Sequence, residues 1–343
     1  MLHLTSMVDH REAGISEVVG FVFILALLMG GLSLFFIYGV PVQGREDEIK
    51  EMDGVRGWFV DYKTGLDQIW LSSLVNATEP KDLVLVASTT GQTVLVKTLD
   101  PGTTRTSGFL RRYLPVLSPI RSSGSLTIRD TEKLEITVVR DGSSLSPVVY
   151  RAPALAYRSQ NNYWLQQEYI YQLGAVQLRQ WDLKGGAQAS NTSMIASPPF
   201  TINYTSTGEP IARMELTLVQ FNGTSFGPSS GIGSSSPIRV ESRLDGSPHY
   251  EDPAGDMNWT AYDAVTLTYR SADSQMAEAW NRTFYFTARR GGLPDDWCRF
   301  ETTGDAVSMR VQSPDPAVSS RVKLEVLAVN YTVGMQNVPT MIE

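Results

Sequence analysis

The chain has 343 residues, a formal charge of −7, only 19% charged residues and a single cysteine. Lys and Arg are scattered, with Arg105, Arg111 and Arg112 the nearest thing to a cluster, so the electrostatic footprint of a nucleic-acid binder is missing. Cys298 alone excludes an intrachain disulfide, and a chain this long has core enough to do without one.

The first element is an apolar run. From Val18 to Tyr38 there are 21 residues without a formal charge. At about 1.5 Å per residue such a helix spans roughly 30 Å, the thickness of a bilayer's hydrocarbon core. It is apolar all round, which suits lipid or the centre of a helical bundle. A secretory signal places small residues after a shorter apolar core. Here Ala13 and Gly14 precede the core, and Gly39-Val40-Pro41 follows it.

The order is a charged leader (Asp9-His10-Arg11-Glu12), small residues (Ala13-Gly14), the start Ile15-Ser16-Glu17-Val18-Val19-Gly20, then a retained apolar helix. It resembles the class III signal of type IV prepilins and archaellins, in its archaeal form. The resemblance covers about 25 residues. It implies cleavage between Gly14 and Ile15 by a prepilin peptidase, so that 1–14 is a leader peptide and 15–40 a hydrophobic transmembrane helix. It also implies that this helix can leave the lipid bilayer and bundle with those of other pilin-like subunits. Glu17 becomes the third mature residue, where bacterial pilins carry their acid at the fifth. A carboxylate at the edge of hydrocarbon must be paired or rest at headgroup level. In a bundle Glu17 can meet the free α-amino group of Ile15 on a neighbour and set axial register. In a plain anchor it stays among the headgroups.

Gly39, Pro41 and Gly44 should break or loosen the helix. A stalk helix over 41–75 follows. Val55, Phe59, Tyr62, Leu66, Ile69 and Ser73 recur at three- and four-residue spacing, with Trp58 and Trp70 beside the stripe. Glu46, Asp47 and Glu48 read as first-turn acids.

From residue 80 to 343 the period is two, and the expectation is a β-rich, mostly antiparallel, sandwich-like ectodomain. The whole is then an α+β protein. Runs 83–88 and 93–99 read as one hairpin, and 125–130 with 133–140 as another. Asp141-Gly142 is a turn, and 100–124 a long loop. Residues 147–159 are extended; the stretch from 161 reads as a helix to Leu173 or as a pair of strands hinged at Gly174, and the alternation of Tyr169 and Tyr171 with Ile170 and Gln172 favours strands over 168–181. The block YIYQLGAVQL with the later PPF is similar to one recurrent in archaeal surface proteins with pilin-like N-termini. Further strands are expected at 211–221, 237–244, 264–270, 283–289, 306–311 and 321–333, with a helix over 273–282. The Gly/Ser-rich stretch 222–237 reads as a flexible loop.

Asn-X-Ser/Thr sequons occur at Asn76, Asn191, Asn203, Asn222, Asn258, Asn281 and Asn330. They use seven of the ten asparagines, all after the apolar helix, and so point to a glycosylated, outward-facing domain on a single-pass membrane anchor.

Catalytic patterns are scarce, and the expectation is a protein that is not an enzyme. No G-x-S-x-G, Walker loop, H-E-x-x-H or C-x-x-C occurs. Outside the leader His249 is the only histidine. Glu251, Asp252 and Asp256 match no calcium-loop spacing and read as a solvated acidic loop. Asp295-Asp296-Trp297 reads as a turn sooner than a sugar-binding pair. No cofactor or metal is expected. Two functions remain: a pilin-like surface subunit acting in filament assembly or adhesion, or an anchored binding ectodomain that does not polymerise.

Overall fold

The N-terminal helix is longer and less interrupted than the glycines and proline suggest. The computed structural model describes residues 6–75, 94–102, 119–181, 191–222, 229–234, 236–254, 261–315 and 321–338. Helix α1 (Ser6–Leu34) passes through one π-helical turn (Phe35–Gly39) into α2 (Val40–Val75). Of the expected break or loosening, the structure shows the loosening, as a single widened turn. The Val40 N–H donates to the Phe35 carbonyl, five residues back. Pro41 has no N–H to donate and its ring crowds the carbonyl one turn earlier. A wide turn just before it absorbs that crowding without ending the helix. No new N-terminus arises near residue 45, so the macrodipole argument for Glu46, Asp47 and Glu48 lapses.

The predicted stripe on α2 is buried as far as Ile69, and Ser73 is only half-buried. Val55, Phe59, Tyr62, Leu66 and Ile69 are all in the core, joined by Met52 and Trp70. Burying a large apolar side chain is worth about 1.5–3 kcal/mol, so five of them outweigh helix glycines costing about 1 kcal/mol each. The glycines divide into two kinds. A Cβ on Gly44 would lie 2.3 Å from the Tyr163 ring, whereas one on Gly54 would meet nothing within 4 Å. Gly54→Ala is expected to raise the stability of the isolated chain by up to about 1 kcal/mol, and Gly44→Ala to lower it by about 1–3 kcal/mol through overpacking. Paired urea titrations of the two variants check this. Equal shifts would show that Tyr163 does not close on the helix.

Three sheets follow among the described residues. The first has β1 (Val94–Leu99), β13 (Ile238–Leu244), β19 (Val322–Asn337), β11 (Ile211–Phe221) and β10 (Phe200–Thr205) in that order, with β14 (His249–Glu251) and β15 (Ala261–Tyr262) also on β19. The second runs β12 (Ser229–Ser234), β2 (Ser123–Arg129), β6 (Ala154–Gln160), β7 (Gln166–Gln172), β8 (Ala175–Trp181), β9 (Asn191–Ala196). The third runs β17 (Cys298–Thr303), β18 (Ala306–Gln312), β16 (Ala264–Arg270), β3 (Lys133–Arg140), β4 (Ser143–Ser144), with β5 (Val148–Arg151) also on β3. Pairing is antiparallel except for β11 with β19. The protein is α+β.

That parallel pair joins two cores. On β11, Ala212, Met214, Leu216 and Leu218 face a core shared with the third sheet; Val219 and Phe221 face the core under α2. On β19 the same switch falls between Val326 and Leu327. Side chains alternate across a strand, so a change from even to odd apolar positions moves the buried face to the other side of the sheet. One face of the first sheet thus packs on the third sheet, and further along the other face packs on α2 and the second sheet.

Several pairings differ from expectation. Residues 125–130 and 133–140 are not a hairpin: β2 lies in the second sheet and β3 in the third. The Asp130-Thr131-Glu132 link carries the chain between layers, and the extended run 147–159 likewise divides at Ala152-Pro153. Strand β1 pairs with β13; its expected partner 83–88 lies outside the described residues, as does most of the loop 100–124. Part of the Gly/Ser stretch forms β12, paired with β2, where a flexible loop was expected. Residues 283–289 are helical, within α3 (Ser274–Arg290). Asp273 caps α3 by accepting from the Gln275 and Met276 N–H groups at 2.8 and 3.4 Å. Met276, Ala277, Trp280, Phe284 and Ala288 form its buried face, so tertiary burial overrides the β-propensity of TFYFT.

The tight turns agree with the sequence. Asp141-Gly142 and Leu173-Gly174 both adopt positive φ at both positions, the geometry of two-residue hairpins.

Candidate functional site

The feature that stands apart from the folded body is the apolar half of the helix. The stretch Glu17–Leu74 is continuous over 58 residues, about 87 Å at helical rise. Its most apolar window is long enough to be a membrane span or a signal sequence, and none of it is buried. Every residue from Val18 to Leu34 is exposed, Leu27 by 75%. The one hydroxyl in that stretch, Ser33, donates back to the Met29 carbonyl at 2.8 Å, so its hydrogen bond is made within the helix itself. Glu17 is exposed at the mouth of the apolar run, and Gly14 and Ile15 lie in the backbone of α1. Gly20, Gly30 and Gly31 have open space around them.

Where the helix meets the β-domain, the loop after β6 closes on it as a collar. Glu48 is 1% exposed. Its Oε1 accepts from the Asn162 N–H at 2.6 Å and its Oε2 from the Tyr163 N–H at 2.8 Å. Burial pushes the Glu48 carboxyl above the usual carboxylate range, and hydrogen bonds from the backbone of Asn162, Tyr163 and Trp164 pull it partway back. The Tyr163 ring covers Gly44 while its hydroxyl accepts from the Ile120 N–H at 3.2 Å. The Arg45 guanidinium sits 4.4 Å above the Trp164 ring. Asn161 and Gln166 tie the loop's ends together, Asn161 Nδ2 donating to the Leu165 carbonyl and Gln166 Nε2 to the Asn161 carbonyl.

Above the collar, tyrosines pin α2. Tyr169 and Tyr331 donate to the Met52 and Leu66 carbonyls at 3.3 and 2.7 Å, and Tyr62 shares a 2.6 Å hydrogen bond with Ser242. Burial pushes the Tyr169 hydroxyl up to about 12, so it remains a donor at any physiological pH.

The sequons are not equivalent. Asn191, Asn203 and Asn222 are exposed. Asn330 is half-buried in β19, between β11 and β13. Asn281 is half-buried on α3 with its Nδ2 toward Thr302. Asn76 and Asn258 lie outside the described residues.

The weaker candidates separate. Asp252 accepts through Oδ1 from the Ala254 N–H at 2.8 Å and the Tyr262 hydroxyl at 2.5 Å, while Asp256 lies outside the described residues. Asp295 and Asp296 form a short 3-10 turn whose Trp297 ring is buried, so the ring is not available to a sugar. Burial pushes the Cys298 thiol up to about 12, and His249 is held by Glu251 at 3.2 Å in the exposed β14.

Sequence reasoning missed the collar, although a signal existed. Glu48 continues the buried stripe of Met52, Val55, Phe59 and Tyr62 backwards by one turn, so a carboxylate stands on an apolar face. No protein-family model, curated protein or solved structure matches the chain.

Proposed function

We propose that the protein is a pilin-like, membrane-anchored cell-surface subunit, of the minor kind, acting by assembly and adhesion and not by catalysis. One observation carries the reading: a single helix is apolar and uncovered over its first half and amphipathic and docked over its second. That layout suits a subunit whose anchor can exchange lipid for neighbouring helices without rearranging the folded body. The prepilin-type leader supports cleavage at Gly14–Ile15, and Glu17 then sits where it can pair with a neighbour's α-amino group. Arg45, Tyr163 and Trp164 suit the headgroup zone just outside the span, where aromatic and basic side chains are favoured. Of the sequons, Asn191, Asn203 and Asn222 are the proposed glycan carriers on the extracellular face. The second reading, a single-pass ectodomain that stays monomeric, rests on the same uncovered helix.

Mass spectrometry of the native protein's N-terminus tests the proposal. A start at Ile15 and recovery in sheared surface filaments are expected; an intact Met1 in the membrane fraction would leave the monomeric anchor. Glu17→Ala is expected to be processed normally and to unfold at the same urea concentration, but to disappear from the sheared fraction. Unchanged incorporation would remove the register role.

A further inference from the structure

The collar-to-tip direction is given by β7, which starts at Gln166 beside the collar and ends at Gln172, before a turn whose Leu173 belongs to the core shared with the third sheet. Helix α3 packs on that same core, at the end of the sheet remote from the apolar helix. Between α3 and the edge strands β9 and β10 lies a cavity of about 550 Å³. That volume falls in the range of about 300–1,000 Å³ typical of small-ligand pockets.

Its chemistry is uneven in a useful way. From α3 come Arg282, Phe286 and Arg290, at positions i, i+4 and i+8, hence in one row about 12 Å long. Phe286 is 62% exposed. Arg282 engages Glu278 at 3.5 Å, and Arg290 makes no ion pair with any described residue. The facing wall carries Ser193, Ser197 and Thr201, whose hydroxyl donates to Glu215 at 3.4 Å, with Thr287 from the helix side; the Thr283 hydroxyl is buried and donates back to the Ala279 carbonyl. Met194, Pro198 and Pro199 supply apolar surface between them.

We propose that this groove binds a carboxylate-bearing saccharide chain, of the uronic-acid type. A pyranose ring presents an apolar C–H face to an open aromatic ring and hydroxyls to a Ser/Thr-lined wall. Its carboxylates, repeated along the chain, match guanidinium groups set on either side of that ring. A neutral sugar leaves Arg290 without a counter-charge and Arg282 with Glu278 alone. A peptide added as a strand meets an edge already engaged, since the Tyr204 N–H of β10 donates to the Gly291 carbonyl at 3.0 Å. The inference stands whether the chain polymerises or remains a lone anchor.

The test is calorimetric titration of the full chain in detergent micelles with tetragalacturonate, with maltotetraose and tetraglutamate as neutral and acidic-peptide controls. Asn203 lines the groove and carries a sequon. The titration is therefore run on the native chain and on Asn203→Gln, which frees the mouth of any glycan of its own. Expected is saturable binding of tetragalacturonate alone. Arg282→Gln with Arg290→Gln should weaken it by at least about tenfold, since charge-assisted hydrogen bonds are lost. Phe286→Ala should weaken it several-fold, with circular dichroism and unfolding midpoint unchanged in both variants. Absence of binding in both forms, binding indifferent to these substitutions, or equal binding of tetraglutamate or maltotetraose overturns the proposal.

Discussion

Phe59→Ala is expected to destabilise the protein by about 3–5 kcal/mol, read from the urea midpoint of the full chain in detergent micelles. Phe59 is fully buried at the centre of the α2 stripe. Its ring stacks on Tyr169 of β7 at 5.8 Å between centroids and meets Trp58 edge-on at 5.1 Å. One turn further, Tyr62 stacks on Trp58 at 5.0 Å and sits edge-on to Tyr171, which stacks on Phe221 of β11. The ladder ties helix, second sheet and first sheet together. Truncating one rung leaves a cavity walled by rings whose positions are set by other contacts, including the Tyr62–Ser242 and Tyr169–Met52 hydrogen bonds. Collapse cannot fill it cheaply, which places the cost at the upper end for core truncations. Tyr285→Ala, on the exposed face of α3, is the control and should cost far less. A loss under about 1 kcal/mol for Phe59→Ala would mean that α2 is not docked on the sheets as described.

Local periodicity made the helices and most strands legible, because burial of one face leaves a period in the sequence. The α2 stripe, β11, β16, β18 and the hairpin at Gly174 all follow from it. Partnering was less legible. Strands β2 and β3 are neighbours in sequence and alternate alike, yet nothing within either says that Asp130-Thr131-Glu132 steps between layers. The switch of apolar phase on β19, between Val326 and Leu327, did contain the two-core arrangement, but a reader taking 321–333 as one strand passes over it. Residues 283–289 misled because Thr, Phe and Tyr favour strands while Phe284 and Ala288 complete a helical face begun at Met276. For the site, the uncovered apolar segment was evident from composition alone. Glu48 was not, since a carboxylate within Arg45-Glu46-Asp47-Glu48 reads as an acid on the solvated first turn of a helix until the closing loop is seen.

Glu48→Ala is expected to cost about 2–4 kcal/mol, more than any surface carboxylate, because it leaves the Asn162 and Tyr163 N–H groups without acceptors in a site closed to water. Gln at this position is the sharper probe. Its carbonyl oxygen replaces one acceptor, but its amide NH2 faces a second N–H and cannot accept, so about half the loss should remain. The pH dependence separates charge from shape. Burial raises the Glu48 carboxyl in the folded chain above its unfolded value. Between those two values the folded protein holds a proton that the unfolded chain has released, so its stability falls as pH rises through that window and is level above it. Below the unfolded value both states are protonated and the contribution is fully present. Asp47, the neighbour that pushes Glu48 further up, is unaltered in the variant. The stability of wild type relative to Glu48→Gln should therefore decline from about pH 4 upward and then flatten, measured as urea midpoints across the pH range. A difference that grows with pH would mean that the backbone donors outweigh burial and that the collar is built to hold the anion. A flat difference would place Glu48 in solvent, with the helix held by its aromatic ladder alone.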